Sequence, residues 1–243
     1  MKKTLLCAIL CLLVPCIALC ESVGIAFPKG AFFDDAAKHI AEILQADGIE
    51  SAIAPLETLL TEGDCAVILL HANAVPEGAP ADAYIAAFLC APEGADCAIQ
   101  LDAYLTGAAQ ASAMLEHLSQ TDIEMPYKVA LSYADDSRDS HMRFLGARDV
   151  LQPYINKENV VYAWETDDAP DMMLTDEAGL VSLYIRNSEM LCQSAADALK
   201  ALLRGETPPY NDQTEYGAPA WILEPSLEEL PALFGDATEE QEN

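Results

Sequence analysis

Five consecutive residues, Asp135-Asp136-Ser137-Arg138-Asp139, put carboxylates, a hydroxyl and a guanidinium into one short stretch. Charged donors and acceptors of this kind make the strong hydrogen bonds by which proteins hold polar solutes. The stretch follows Val129, Ala130, Leu131 and Tyr133, an apolar run of the length a buried strand needs, and no strand would tolerate the five residues that come next. Asp139 or Ser140 is placed to cap a helix. Met142, Leu145, Val150 and Leu151 then recur at roughly helical spacing, and Pro153 is expected to close that helix. Val160-Val161-Tyr162-Ala163-Trp164 resumes as a strand. Strand, helix and strand with short connections form a βαβ unit, and such units build parallel sheets. Ligands of open parallel sheets sit outside the carboxyl ends of the strands, which makes the loop 135–139 the first place to look for a function.

Catalytic chemistry finds less support. His39 and His117 fall on helix surfaces, His141 opens a helix, and His71 ends a strand with no evident partner. No Ser-His-Asp, Cys-His or metal-ligand spacing occurs, and a single Gly30 follows the first strand where a phosphate loop would need several glycines. No enzyme, metal or cofactor is expected.

The elements that would position the polar groups alternate along the chain. A first strand covers 23–28, and a helix over 32–45 turns Ala36, Ala37, Ile40, Ile43 and Leu44 inward, with Gly48 just past its end. A strand at 49–54, a short helix at 55–62 and an apolar strand at 65–70 complete a β-α-β-α-β order. After a Pro/Gly-rich loop at 75–80, residues 82–89 read as a short helix or a helix running into a strand. A strand at 97–102 leads through Thr106-Gly107 into an Ala-rich helix ending near Leu118. Beyond Trp164 come an acidic loop at 165–170, a short strand Met172-Met173-Leu174 ending in Thr175-Asp176, and a strand at 180–185. A helix capped by Asn187 or Ser188 runs to Arg204 and stops at Gly205.

The chain has 243 residues, half of them hydrophobic, enough for one large domain or two small ones. Its net charge is -28, a surface that repels phosphate backbones and anionic membranes, so nucleic-acid binding is excluded as a function class. Lys2 and Lys3 followed by the apolar run 5–19 form a secretory leader, residues 1–20. Either Ala18-Leu19-Cys20 is a small-x-small cleavage site before Glu21, or Cys20 is the lipid-modified first residue of an imperfect lipobox in which Leu19 is bulky. Cys65, Cys90, Cys97 and Cys192 match no zinc motif. Cys90 and Cys97 either pair in an oxidising compartment or are small buried hydrophobes.

Gly146, Val150-Leu151 and Pro153-Tyr154-Ile155, preceded by the Asp-rich loop, resemble the second domain of the sugar-binding proteins of ABC transporters, in particular the xylose and multiple-sugar branch of the type I periplasmic-binding-protein family. The resemblance extends over nearly all of the chain. Asp35 is retained after the first strand, and Phe32 or Phe33 stands where the family often has the Trp of an Arg-Trp pair. Asp102 and Gly107 fit the family's Asp-Asn and Gly, although Ala103 replaces the Asn. Tyr184, Ala195, Ala198, Leu202, Gly205-Glu206 and Pro208 follow its closing pattern, completed by Asn211, Tyr216-Gly217 and Ile222-Leu223-Glu224-Pro225. The family's helix-strand-helix portion between Trp164 and Leu180 is reduced to a stub.

The resemblance implies an α/β, two-lobed fold of doubly wound parallel sheets with a trimmed second lobe. The lobes would be 21–102 and 103–233, with crossing strands near 180–185 and 219–225, followed by an acidic tail at 234–243. It further implies an exported protein, periplasmic or anchored outside the cytoplasmic membrane, that closes on a small polar solute, most simply a sugar, and presents it to an ABC permease. Hydroxyl groups need charged, planar partners and an aromatic face against the ring. Asp35, Asp102, Arg138, Asp139, Arg143 and Asp176 supply the former, and Phe32, Phe33 and Trp164 the latter. Each also has a structural alternative: Asp102 and Asp139 as helix caps, the arginines as relief of an acidic surface, Phe32 or Phe33 as core. The missing Asn, Arg and inter-lobe segment leave a second reading open, a degenerate homologue that keeps the fold and acts as a surface partner-binding or sensor-accessory protein.

The leader makes a direct prediction. Labelled palmitate is incorporated into the expressed protein and lost with Cys20→Ala if Cys20 is the anchor; unlabelled protein starting at Glu21 outside the membrane marks the soluble form. An intact leader in a cytosolic fraction would refute both.

Overall fold

The structure is a computed structural model describing residues 22–62, 64–132, 137–166, 168–175, 178–206 and 220–225. The leader with Cys20, Asp135, Asp136, Asp176, the closing residues 208–219 and the acidic tail lie outside the described residues. The described chain divides into two units, one reaching to Ala98 and resuming at Gln193, the other running from Ile99 to Cys192 and resuming at Trp221.

The first unit begins with β1 (Ser22–Ala26) and α1 (Ala31–Ala46), whose buried residues Ala36, Ala37, Ile40 and Leu44 recur at one-turn spacing. Gly48, at φ 79°, makes the left-handed turn past the helix end that a residue with a Cβ takes only at a cost. β2 (Glu50–Ile53), α2 (Leu56–Glu62), β3 (Val67–Leu70), β4 (Tyr84–Phe88) and β5 (Cys97–Leu101) follow. The six-stranded sheet has the order β2-β1-β3-β4-β5-β9, where β9 (Ala220–Leu223) is the last strand among the described residues. The pairs β1–β2, β1–β3 and β3–β4 are parallel. β3 is buried along its whole length, as a central strand of a parallel sheet covered on both faces must be.

Residues 82–89, expected as a short helix or a helix running into a strand, contain no helix: Tyr84–Phe88 is the strand β4, because Ile85, Ala86, Ala87 and Phe88 are buried in succession, which an amphipathic helix cannot achieve.

The second unit opens with α3 (Ala103–Ser119), then β6 (Tyr127–Ser132), α4 (Arg138–Asn156), β7 (Val160–Tyr162), a 3-10 turn at Ala163–Glu165, β8 (Met172–Thr175) and α5 (Leu180–Arg186). Its sheet is short and parallel, in the order β7-β6-β8. The trimmed second sheet expected from the sequence is therefore present. The crossing strand expected near 180–185 is not: those residues form α5. Gly179 sits at φ 71°, Leu183 N donates to its carbonyl, and Leu183 is buried while Ile185 is exposed, the one-sided burial of a helical turn. Pro153 does not close α4, which continues to Asn156 with the exposed proline inside it. Ser137, not Asp139 or Ser140, is the cap; its side chain accepts from Ser140 N at 3.2 Å.

α6 (Ser188–Leu203) carries the chain back into the first unit. Ala195, Ala196, Ala198, Leu199 and Leu202 are buried. Lys200 reaches Asp197 at 2.7 Å and Asp47 at 2.9 Å, fastening α6 to the end of α1, and these carboxylates raise its ammonium above the usual lysine range. Cys65, Cys90, Cys97 and Cys192 form no disulfide among the described residues; Cys97 and Cys192 are buried, and burial pushes the Cys192 thiol up to about 11.

The core of the second unit rests on one close crossing. A Cβ on Gly107 of α3 would fall onto the Arg143 carbonyl of α4 and lie 2.7 Å from Arg143 Cα. A Cβ on Gly146 of α4 would fall onto the Tyr104 carbonyl and lie 3.0 Å from Ala108 N. Each helix therefore offers a glycine to the other's backbone. Ala111, Met114, Leu115, Leu118, Ala147 and Leu151 pack behind the crossing against Val129, Val160 and Leu174 of the sheet. Since the obstructing atoms are backbone, the helices themselves must part to admit a methyl group. Gly146→Ala is expected to cost about 1–3 kcal/mol or more, read as a lower urea midpoint, with the second unit losing hydrogen-exchange protection first. An unchanged midpoint would show that the crossing is looser than described.

Candidate functional site

The carboxyl ends of three neighbouring strands in the first unit carry aromatic rings. β1 ends into Phe27, β4 ends in Phe88, and β3 ends into His71. Phe32 and Phe33 add to them from the first turn of α1. The rings form one cluster. Phe27 stacks on Phe88 with centroids 5.0 Å apart and meets Phe33 edge-on at 5.6 Å; Phe32 meets Phe33 at 5.3 Å and lies parallel to Phe88 at 6.5 Å. These separations fall in the range of favourable aromatic pairs. Phe88 is fully buried, whereas Phe27, Phe32 and Phe33 are half-buried and keep part of their surface toward solvent.

His71 joins the cluster, its ring centroid 4.8 Å from that of Phe33. Its Nδ1 lies 2.7 Å from the Phe88 carbonyl oxygen. The Cys90 thiol also donates to that oxygen at 3.4 Å, and burial raises it above the usual thiol range. Between Phe88 and Cys90, Leu89 adopts φ 58°, a left-handed conformation uncommon for a bulky residue. Such outliers persist where surrounding packing holds them, and they concentrate at functional sites.

The sequence-derived site residues fare unevenly. Phe32 and Phe33 are together, in the aromatic cluster. Asp35 belongs to the same helix turn, but its carboxylate is 82% exposed, 3.8 Å from Lys38, which is also exposed. Asp102 is the N-cap of α3; its Oδ1 accepts from Leu105 N at 2.8 Å, and its own N–H donates to Leu223 of β9. Arg138 and Asp139 form the first turn of α4 and are half-buried. Arg143 lies one turn further along, with its backbone against Gly107. Asp176 lies outside the described residues.

The second unit has polar and aromatic groupings of its own. Tyr104 donates to Asp149 at 3.0 Å, and the Arg148 guanidinium holds the other carboxylate oxygen at 2.9 Å. Arg148 first and Tyr104 second hold the Asp149 carboxyl below its ordinary range, and the same bond raises the Tyr104 phenol. Trp164, 57% exposed, stacks on Tyr162 with centroids 4.1 Å apart. Sequence reasoning missed Phe27 and Phe88 as site members. The signal was available: each stands at the carboxyl end of an apolar run, the position already used to select the loop at 135–139. Among the described residues no group of His, Cys, Asp and Glu is arranged to hold a metal, and no helix is long and apolar enough to cross a membrane.

The chain matches no family model and no curated relative. Solved structures share its fold. An ABC transporter solute-binding protein from Clostridium phytofermentans with bound β-D-glucose aligns over 91% of this chain and 99% of its own, at 14% identity and a TM-score of 0.56. A carbohydrate transporter solute-binding protein from Chloroflexus aurantiacus in complex with D-glucose aligns over 90% of this chain and 96% of its own, at 15% identity and a TM-score of 0.55. The Cra transcriptional dual regulator from Pseudomonas putida, in complex with fructose 1-phosphate, aligns over 85% of this chain and 97% of its own, at 13% identity and a TM-score of 0.53. The chain thus has the type I periplasmic-binding fold, which transport proteins and gene regulators have in common.

The aromatic residues can be separated experimentally. Phe88→Ala, at a fully buried position, is expected to cost about 3–5 kcal/mol of stability. Phe32→Ala, half-exposed, should cost well under half of that, leaving a folded protein whose ligand binding can be measured. Similar losses for both variants in chemical denaturation would mean that Phe32 is core.

Proposed function

We propose that this protein is an extracytoplasmic solute-binding protein that captures a sugar for an ABC permease. The observation carrying the reading is the cluster of Phe27, Phe32, Phe33 and Phe88 with His71 at the carboxyl ends of three parallel strands. Flat apolar faces beside a hydrogen-bonding ring suit the C–H face and the hydroxyl rim of a monosaccharide, and strand carboxyl ends are where this class of sheet takes its ligands. The bound glucose of two proteins with the same fold supports the substrate class. The leader 1–20 supports export, with Cys20 as lipid anchor or Glu21 as mature start. Gly107, Gly146 and Pro153-Tyr154-Ile155 support the xylose and multiple-sugar branch. A net charge of -28 weighs against a DNA-bound regulator of the same fold. The role is binding and delivery, not catalysis, and needs no cofactor.

Asp139 and Arg138, with Arg143 one turn on, are the proposed polar contacts of the second unit, joined by Asp176. A specific observation favours the alternative of a fold-preserving homologue that binds a partner protein instead. Asp102 spends a carboxylate oxygen on its helix cap, and Asp35 faces solvent beside Lys38.

Thermal denaturation with millimolar pentoses and hexoses decides between them. A rise in melting temperature with at least one sugar, lost in Asp139→Ala through removal of an acceptor contributing about 1–3 kcal/mol, is expected for capture. No shift with any sugar would leave the partner-binding alternative.

A further inference from the structure

We propose that His71 is a specificity-determining residue of the aromatic cluster, accepting through Nε2 a hydrogen bond from a hydroxyl of an uncharged sugar; this rests on the carbohydrate reading above. The Phe88 carbonyl can only accept a hydrogen bond. A nitrogen 2.7 Å from it must bring the proton, so His71 carries its hydrogen on Nδ1. In the neutral ring the other nitrogen, Nε2, then holds a lone pair and acts as an acceptor.

Two contacts fix this ring: the bond to Phe88 and the tilted packing on Phe33. Neither uses Nε2, which makes no hydrogen bond among the described residues. The neighbouring thiol does not compete for the role, because Cys90 donates its own hydrogen to the same carbonyl. Nor do the nearby acids. Asp34 and Asp35 are exposed, and the Asp35 carboxylate lies 3.8 Å from the Lys38 ammonium. His71 is thus a polar group anchored inside the cluster with one face of its chemistry uncommitted.

An acceptor held at the rim of an aromatic surface suits a particular ligand. A sugar hydroxyl can donate to Nε2 while the carbon face of its ring lies on the phenyl groups. A phosphate or carboxylate oxygen in that place would set lone pair against lone pair. In its neutral form the ring therefore selects a neutral polyol over its anionic derivatives.

The test uses the full-length protein labelled with nitrogen-15 in its histidines, in mildly alkaline buffer, titrated with D-glucose, D-xylose, D-ribose and D-galactose. The free protein should show His71 as the Nδ1–H tautomer. A sugar that binds should move the Nε2 resonance in the direction of an accepted hydrogen bond. His71→Asn keeps an amide donor near the position of Nδ1 and removes Nε2. It should weaken that sugar by about 10- to 100-fold with the unliganded melting temperature little changed. His71→Gln, whose amide oxygen reaches toward the place of Nε2, should recover part of the loss. The proposal is overturned if the free ring is the Nε2–H tautomer, or if a sugar binds while the Nε2 resonance stays put. Undiminished affinity in His71→Asn overturns it as well. If that variant does not fold, the resonance of the unaltered protein decides. If none of the four sugars perturbs any signal, the carbohydrate reading fails and takes this one with it, an outcome separate from binding that bypasses His71.

Discussion

Backbone meets backbone where α3 crosses α4, and the second unit is arranged around that meeting. Gly107 and Gly146 are reciprocal: each lacks the one carbon that would push the other helix away. Only with the axes this close can Ala111 and Ala147 lie in the same buried layer as Leu151 and Leu118, above a sheet of just three strands. A small sheet buries little apolar surface by itself, so tight helix pairing supplies much of what stabilises the unit. The same crossing fixes the polar side chains. Asp102 opens α3 and Arg143 sits at the contact point on α4, with Arg138 and Asp139 one turn before it. Their placement is inherited from two missing methyl groups.

The first unit solves its problem differently. Its sheet is long enough to bury β3 completely, and its distinctive chemistry lies at the strand ends. Four phenyl rings and an imidazole interlock there, and the polar main chain at the end of β4 is not left idle. The Phe88 carbonyl receives both His71 and Cys90, and the left-handed turn at Leu89 leads from Phe88 to Cys90. An apolar floor with a few oriented polar atoms is the composition expected of a small-molecule site.

Much of this architecture was legible because the local signals were unambiguous. β3 is an uninterrupted apolar run, α1 shows its inner face in Ala36, Ala37, Ile40 and Leu44, and Gly107 and Gly146 stand out in helical sequence where glycine is costly unless packing requires it. The failures occurred where local pattern does not decide. The run Leu180-Val181-Ser182-Leu183-Tyr184-Ile185 is short and apolar enough for either element, and the turn at Gly179 sends it into a helix. Residues 85–88 gave no periodicity because all are buried. At the site, Phe32 and Phe33 were readable from their place after the first strand. Phe88 and His71 also end or follow apolar runs, but that they meet Phe32 and Phe33 depends on strand pairing between distant segments, which no window of sequence contains.

The order of strands has a consequence for how the chain comes into being. β5 and β9 are neighbours in the sheet, and Asp102, just past β5, donates to Leu223 of β9, yet residues 103–219, with α3 to α6, are synthesised between them. The six-stranded sheet cannot be finished before Ala220–Leu223 has been made. Contacts separated this far along the chain form late, because the loop between them must first be closed. Until Ala220–Leu223 has been made, the edge of β5 that it covers stays open, so this sheet is completed by a strand far from its neighbour in sequence.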